Sequence, residues 1–145
     1  MPFNRYFPGI RTAITNANMK TKLNHTAIYV VKLEPSAAFY KDIIGLETTP
    51  EPFQDGKHAW FLTGTNTMLH IIEGAESRML YYKNQHTCFS VASIEDFTRL
   101  LQLRQLAWED VHGTKNAITT RIDGVKQIWL QDPDGYWIEI NDDKS

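Results

Sequence analysis

The sequence predicts an α+β fold made of two similar β-α-β-β-β halves. The chain has 145 residues, which suits one domain with a single sizeable core. A strand-like segment followed by a helix-like segment occurs twice, at 23–46 and again at 85–106. Further strand-like segments follow each occurrence, so the second half repeats the pattern of the first.

The chain divides into an N-terminal arm and one domain. Residues 1–21 carry Pro2, Pro8 and Gly9, several Asn and no continuous apolar run. We therefore expect a flexible arm there and no secretory signal. We place a single domain at 22–142, with module one at 22–74 and module two at 84–142.

Each predicted helix has terminal signals. Pro35 suits the first turn of the first helix, and Gly45 suits its end. Ser93, with Asp96 three residues later, resembles a capping box at the start of the second. The predicted strand and helix segments are 23–31 and 33–46 in module one, and 85–92 and 93–106 in module two.

Short alternating segments complete each module. A turn at Asp132-Pro133-Asp134-Gly135 suits the last hairpin, because Pro at the second position and Gly at the fourth fit a type I turn. The predicted strands are 58–64 and 67–73 in module one and 117–122, 126–131 and 136–141 in module two, with short strands near 47–50 and 107–111.

Composition excludes several classes of protein. The formal net charge is -2 and no Lys- and Arg-rich run occurs, which argues against nucleic acid as a partner. No segment approaches the roughly 20 apolar residues that a membrane span needs. Cys88 is the one cysteine, so no intrachain disulfide is possible, and we expect a reducing, cytoplasmic environment.

Two histidines occupy equivalent places in the two modules. Strand side chains alternate between faces, so His25 shares a face with Ala27 and Tyr29, whereas the bulky apolar residues take the opposite face. His86 shares a face with Cys88 in the same way. These smaller, more polar faces suit the lining of a cleft.

The last strands supply a second equivalent pair. Aligning 61–73 with 129–141 on their apolar residues places His70 over Glu139. Modules related by a pseudo-twofold axis would gather His25, His70, His86 and Glu139. Three imidazoles and a carboxylate suit one divalent ion, and Zn, Ni, Mn, Co and Fe all remain open.

At these residues the chain resembles the vicinal oxygen chelate superfamily, which includes glyoxalase I, extradiol dioxygenases and bleomycin resistance proteins. LNHTAIYVVKLEPSAAFYKDIIGLE resembles its first module, HTCFSV the start of its second, and IWLQDPDGYWIEIND its closing hairpin. The resemblance implies paired βαβββ modules that form a cupped, incomplete mixed β-barrel with the helices outside.

The resemblance also implies roles for individual residues. His25, His86 and Glu139 carry over as metal ligands by position. His70 stands where glyoxalase I has a Glu involved in proton transfer, which puts true glyoxalase I activity in doubt. We therefore take Glu139 and His70 as candidate catalytic residues as well as ligands. A small-molecule substrate and a homodimer are also implied.

Three functions follow as hypotheses. The first is a glyoxalase-like metalloenzyme, a lyase or isomerase, whose ion acts as a Lewis acid on two neighbouring substrate oxygens. The second is an extradiol-type dioxygenase with Fe(II), since two His and one carboxylate form the facial triad of such enzymes. The third is a non-catalytic small-molecule-binding protein of the same fold.

Other polar and aromatic residues receive less specific interpretations. We expect His58 and His112 in exposed turns, and Cys88 as a small packed residue. Arg121 is expected at the surface and Glu73 at a solvated strand end. Tyr29 and Trp137 are the aromatic residues that alternation places with His25 and Glu139, so they are candidates to line a pocket.

Overall fold

The computed structural model describes residues 20–144 and contains two four-stranded sheets and two helices. The predicted arm lies almost wholly outside the described residues. Module one comprises β1 His25–Val30, α1 Leu33–Asp42, β2 Glu47–Thr49, β3 His58–Gly64 and β4 Thr67–Glu73. Module two comprises β5 His86–Ser90, α2 Ile94–Leu103, β6 Thr119–Thr120, β7 Lys126–Gln131 and β8 Trp137–Asn141.

The sheets have the same topology in both modules. Their strand orders are β1-β4-β3-β2 and β5-β8-β7-β6. The first strand of each module pairs in parallel with the last, and the remaining pairings are antiparallel. Within residues 20–144 neither sheet closes into a barrel, so the predicted fold class is confirmed.

One predicted strand is wrong. Near 107–111 only Glu109 forms bridges, to Lys115 and to Trp129. The strand predicted at 117–122 is reduced to Thr119–Thr120. Positive backbone φ values at Gly113 and Asn116 show that this segment turns repeatedly, which is incompatible with a continuous ladder.

The apolar faces pack on the helices, as alternation predicts. Val30, Phe61, Leu69 and Ile71 of module one are buried with residues of α1. Their counterparts in module two pack with α2 and belong to the same core cluster: Ile128, Leu130, Ile138 and Ile140. Each sheet therefore buries one face in the core. The opposite face carries the candidate ligands and is called the open face below.

A β-bulge interrupts the hairpin between β3 and β4. Gly64 pairs with Thr67 whereas Leu62 pairs with Met68, so β3 accommodates one extra residue, Thr63. Beyond the bulge Trp60 lies directly opposite His70. The two side chains therefore project from the same face of the sheet.

Acidic side chains from distant segments cap helix α1. Lys32 is its N-cap residue and provides no side-chain cap. Glu73 instead accepts from the Leu33 backbone N–H at 2.8 Å. Asp134 of module two accepts from the Val31 N–H at 2.7 Å and from the Ser36 hydroxyl at 2.6 Å. Glu73 thus fixes a helix end rather than lying at a solvated strand end.

The predicted turn at 132–135 also joins the modules. A bond from the Gly135 N–H to the Asp132 carbonyl closes the turn. The Asp132 carboxylate accepts from the Tyr40 hydroxyl of α1 at 2.8 Å, and both groups are buried. Burial raises the pKa of Asp132 and of Tyr40. The turn is therefore a structural clamp between the modules as well as a reversal of the chain.

Candidate metal centre

The parallel strand pairs repeat the same register in both modules. In each, the residue two positions after the strand-initial histidine lies opposite the candidate ligand on the last strand. This register confirms the predicted equivalence of His70 and Glu139. The facing pairs are Ala27 with His70 in module one, and Cys88 with Glu139 in module two.

The histidines of module one lie close together. The ring centroids of His25 and His70 are 6.0 Å apart. His25 Nδ1 lies 2.7 Å from the Asn24 side-chain oxygen, which fixes a proton on Nδ1 and leaves Nε2 as an acceptor. Trp60 stacks on His70 with a centroid distance of 3.8 Å and meets His25 edge-on at 5.2 Å.

His70 has a partner that the sequence interpretation did not assign. His58 Nδ1 lies 2.7 Å from His70 Nε2, and the Asp55 carboxylate lies 3.5 Å from His58 Nε2. A carboxylate favours a proton on the facing nitrogen, so His58 Nδ1 accepts from His70 Nε2–H. The lone pair of His70 then resides on Nδ1. His58 is only 18% exposed at its side chain and does not belong to an exposed turn.

Burial lowers the pKa of His70. The neighbouring His58 and His25 rings lower it further. His70 is itself buried. A neutral imidazole is therefore favoured near pH 7, and a neutral imidazole can accept a proton or bind a metal ion.

The candidate ligands of module two are in direct contact. His86 Nε2 lies 3.2 Å from a Glu139 carboxylate oxygen. His86 Nδ1 lies 3.2 Å from the Asn84 carbonyl oxygen, which accepts its proton. Trp129 packs edge-on against His86 at 4.4 Å between ring centroids. The two donor atoms therefore project together from the open face of the second sheet.

Asn141 orients the carboxylate from the same strand. Its side-chain N–H group donates to Glu139 at 3.3 Å and to the Cys88 sulfur at 3.2 Å. Burial raises the pKa of Cys88 to about 12, and the charge of Glu139 contributes to the same shift. The thiol therefore remains protonated at neutral pH, although Cys88 is exposed and not packed as the sequence predicted.

The donors have the chemistry and spacing of metal ligands. Two atoms that bind one ion at about 2.1 Å each lie roughly 3–3.5 Å apart, and the His86–Glu139 separation falls in that range. Metal-binding histidines usually donate their second N–H to a carbonyl or carboxylate, and both His25 and His86 make such a bond. These residues fit a divalent ion.

The four residues form two separate pairs in one chain. Among residues 20–144, no group of three or more His, Cys, Asp or Glu side chains is arranged to hold a metal ion. His25 and His70 belong to the open face of module one, and His86 and Glu139 to that of module two. Within residues 20–144 of one chain, the two pairs therefore do not come together.

The remaining candidates have simpler environments. His112 is exposed, as expected, and Arg121 pairs with Asp123 at the surface. The Trp137 indole N–H donates to the Tyr81 carbonyl at 3.0 Å. Tyr29 is 52% exposed beside the hydroxyl of Tyr136. No helix in the described part of the chain is long and apolar enough to cross a membrane.

Comparison with known proteins identifies the family. A family model for the Glyoxalase/Bleomycin resistance protein/Dioxygenase superfamily matches residues 22–140. The chain therefore belongs to that superfamily, and the resemblance drawn from its motifs is confirmed.

Solved structures share the fold. The structure named oxidase ChaP-H1 is 27% identical, with a TM-score of 0.68 over 84% of this chain and 95% of the other. A glyoxalase/dioxygenase from Nostoc punctiforme is 21% identical, with a TM-score of 0.69 over 92% and 97%. Lactoylglutathione lyase from Agrobacterium tumefaciens is 21% identical, with a TM-score of 0.61 over 84% and 93%.

Proposed function

We propose that this protein is a metal-dependent enzyme, a lyase or isomerase, that acts on a small molecule through two neighbouring oxygens. His25, His86 and Glu139 would hold one divalent ion. The observation that carries the proposal is that His25 and His86 have the same hydrogen-bonding arrangement. In both, a neighbouring Asn engages Nδ1 and leaves Nε2 directed away from that bond, and Glu139 lies beside the second.

A second copy of the chain would complete the site. Module one offers two imidazoles and module two an imidazole and a carboxylate, on faces that the core does not use. A homodimer in which module one of one chain faces module two of the other would supply all four. Large apolar residues exposed beside module two support such a contact, with Leu80 at 98% and Tyr82 at 86% exposure.

Each residue near the proposed ion would have a separate role. A bound divalent ion would polarise two neighbouring substrate oxygens as a Lewis acid. His70 would remain neutral and accept a proton at Nδ1, because its Nε2 is engaged by His58. Trp60 would hold the His70 ring in place by stacking. Glu139 would be kept in position by Asn141 and would exchange a proton with substrate.

Metal analysis of purified variants tests the proposal. Wild-type protein prepared without chelator should contain about one divalent ion per chain. His86→Ala and Glu139→Ala should each lose most of it, because each removes a donor. His112→Ala is the matched control, since that histidine is exposed and distant in sequence from both pairs. Full metal content in both ligand variants would reject the proposed site.

A ferrous oxygenase is the second candidate, and the proposed ligand set supports it. The ligands would again be His25, His86 and Glu139, with His70 beside them as a base. Two histidines and one carboxylate form the facial triad of non-haem iron oxygenases. The 27% identity to the structure named oxidase ChaP-H1 adds support. Oxygen uptake with catechols that requires ferrous iron would favour this candidate over a lyase or isomerase.

A further inference from the structure

A cavity of about 330 Å³ is lined by two residues that neighbour the candidate ligands of module two, whereas the ligands themselves do not line it. Trp129 and Trp137, which form part of its wall, flank Glu139 on the open face of the sheet. Trp129 also packs on His86. The volume is that of a small-molecule site, and its wall is rich in flat aromatic rings: Phe39, Trp108, Trp129 and Trp137.

The charges around this cavity are not balanced. Among its lining residues in the described chain, Glu109 is paired with Lys83. Asp132 accepts from Tyr40 and from two backbone N–H groups. Arg78 and Lys115 line the same cavity, and neither forms an ion pair within residues 20–144. With Lys83 counted, three cations face two carboxylates, so the surroundings of the cavity have one net positive charge.

Arg78 is held at the cavity by the closing hairpin of module two. Its guanidinium donates to the Gln131 side-chain oxygen at 3.2 Å, and Gln131 in turn donates to the Gly135 carbonyl at 2.9 Å. A Cβ atom at Gly135 would lie 2.9 Å from Arg78 Nε and 2.7 Å from the Met79 carbonyl oxygen, so only glycine permits this approach. Within residues 20–144, most of the five guanidinium N–H donors of Arg78 have no partner.

Two buried donors in the same wall lack acceptors. The indole N–H groups of Trp108 and Trp129 are buried and have no hydrogen-bond partner in the described residues. These residues are only 5% and 4% exposed. Unpaired buried donors are costly, and a bound acceptor is one way in which they are satisfied.

We propose that this cavity binds a planar aromatic acid, with its carboxylate anchored by Arg78. The inference rests on the proposed function, since it names the class of substrate that the enzyme would take. Trp137 is partly exposed and provides a stacking surface for the ring system, and the buried rings of Phe39, Trp108 and Trp129 form the apolar wall behind it. Arg78 provides a fork of donors for the carboxylate, and Lys115 adds positive charge. Trp108 and Trp129 provide donors for further oxygens.

Binding of matched acid and amide probes tests this inference. Naphthalene-2-carboxylate and naphthalene-2-carboxamide have the same ring system and differ in charge. Calorimetric titration of metal-free wild-type protein should show at least tenfold tighter binding of the acid. Arg78→Gln should abolish that preference, because glutamine retains polarity without charge. Trp108→Phe should weaken acid binding severalfold while retaining an aromatic ring.

A matched control and a second measurement complete the design. Arg99→Gln removes an exposed arginine of α2 that pairs with Asp96, and it should leave acid binding unchanged. No binding of the acid, equal affinity for acid and amide, or an unchanged preference in Arg78→Gln would overturn the inference. Titration of Mn²⁺ into wild type and Arg78→Gln reports separately on the proposed metal centre. If the wild-type protein binds no Mn²⁺, the proposed function is wrong, whereas the ratio of its affinities for the acid and the amide is unaffected.

Discussion

Asparagine residues determine which nitrogen the two strand-initial histidines, His25 and His86, offer. Asn24 uses its side chain to engage His25 Nδ1, and Asn84 uses its backbone carbonyl to engage His86 Nδ1. The same tautomer thus results from different groups in the two modules. Both asparagines precede a strand-initial histidine by one or two residues, so the sequence contained a signal that residue-type patterns alone did not reveal.

The face of the sheet on which each candidate ligand lies could be predicted from the sequence, whereas the residues that contact each ligand could not. Alternation placed His25, His70 and Glu139 on the open faces because strand side chains have a period of two. His58 was assigned to an exposed turn. Its bond to His70 depends on cross-strand register, which the residue pattern does not specify.

Cys88 should react slowly with iodoacetamide in the native protein. Burial raises its pKa to about 12, with the Glu139 charge adding to the shift, so native protein at pH 7.5 contains much less thiolate than an ordinary cysteine. We expect a rate roughly two orders of magnitude below that of the urea-unfolded chain. Mass spectrometry of timed samples measures both rates, and equal rates would contradict the assigned environment.

At the scale of elements, helix α1 depends on side chains from outside itself. Glu73 and Asp134 satisfy N–H groups around its first turn. The sequence predicted the helix and its Pro35 correctly, and it predicted the turn at 132–135. It did not predict that the turn would reach α1, since that contact joins residues about a hundred positions apart and follows from module packing.

Removal of Asp134 should destabilise the protein. Asp134→Ala deletes two hydrogen bonds to a carboxylate and leaves the fully buried Ser36 hydroxyl without its acceptor. We expect a loss of about 2–4 kcal/mol in the free energy of unfolding, measured by urea denaturation. Asp123→Ala is the control, because that residue pairs with Arg121 in an exposed turn and should cost under about 1 kcal/mol. If Asp134→Ala lowers the free energy of unfolding no more than Asp123→Ala does, the hydrogen bonds of Asp134 add no measurable stability.

At the scale of the whole molecule, each module carries half of a ligand set. The duplicated sequence predicted two equivalent pairs, and the shared register agrees with that duplication. Whether the pairs meet within or between chains depends on how the modules pack, which a repeat pattern leaves open. In the described residues of one chain they remain apart.

Mixing two defective variants tests whether the proposed site spans two chains. His25→Ala and Glu139→Ala each remove a ligand from a different module. Random pairing in a homodimer produces mixed dimers in which one of the two sites is intact, so metal content should recover to about a quarter of wild type. Each variant alone should bind little metal. Co-refolded mixtures that bind no more metal than the separate variants would exclude a shared site.

Because of the bulge at Thr63, the number of residues in β3, and not only their identity, determines which side chains share a face of the sheet. A regular hairpin that kept Gly64 opposite Thr67 would place Ile71 opposite Trp60, and β3 would meet β4 with the wrong face outward. The indole and imidazole that stack at 3.8 Å would then lie on opposite sides of the sheet. Deletion of Thr63 itself would leave a regular hairpin in which Trp60 still lies opposite His70, so the bulge compensates for one surplus residue in β3 and keeps inside and outside unchanged.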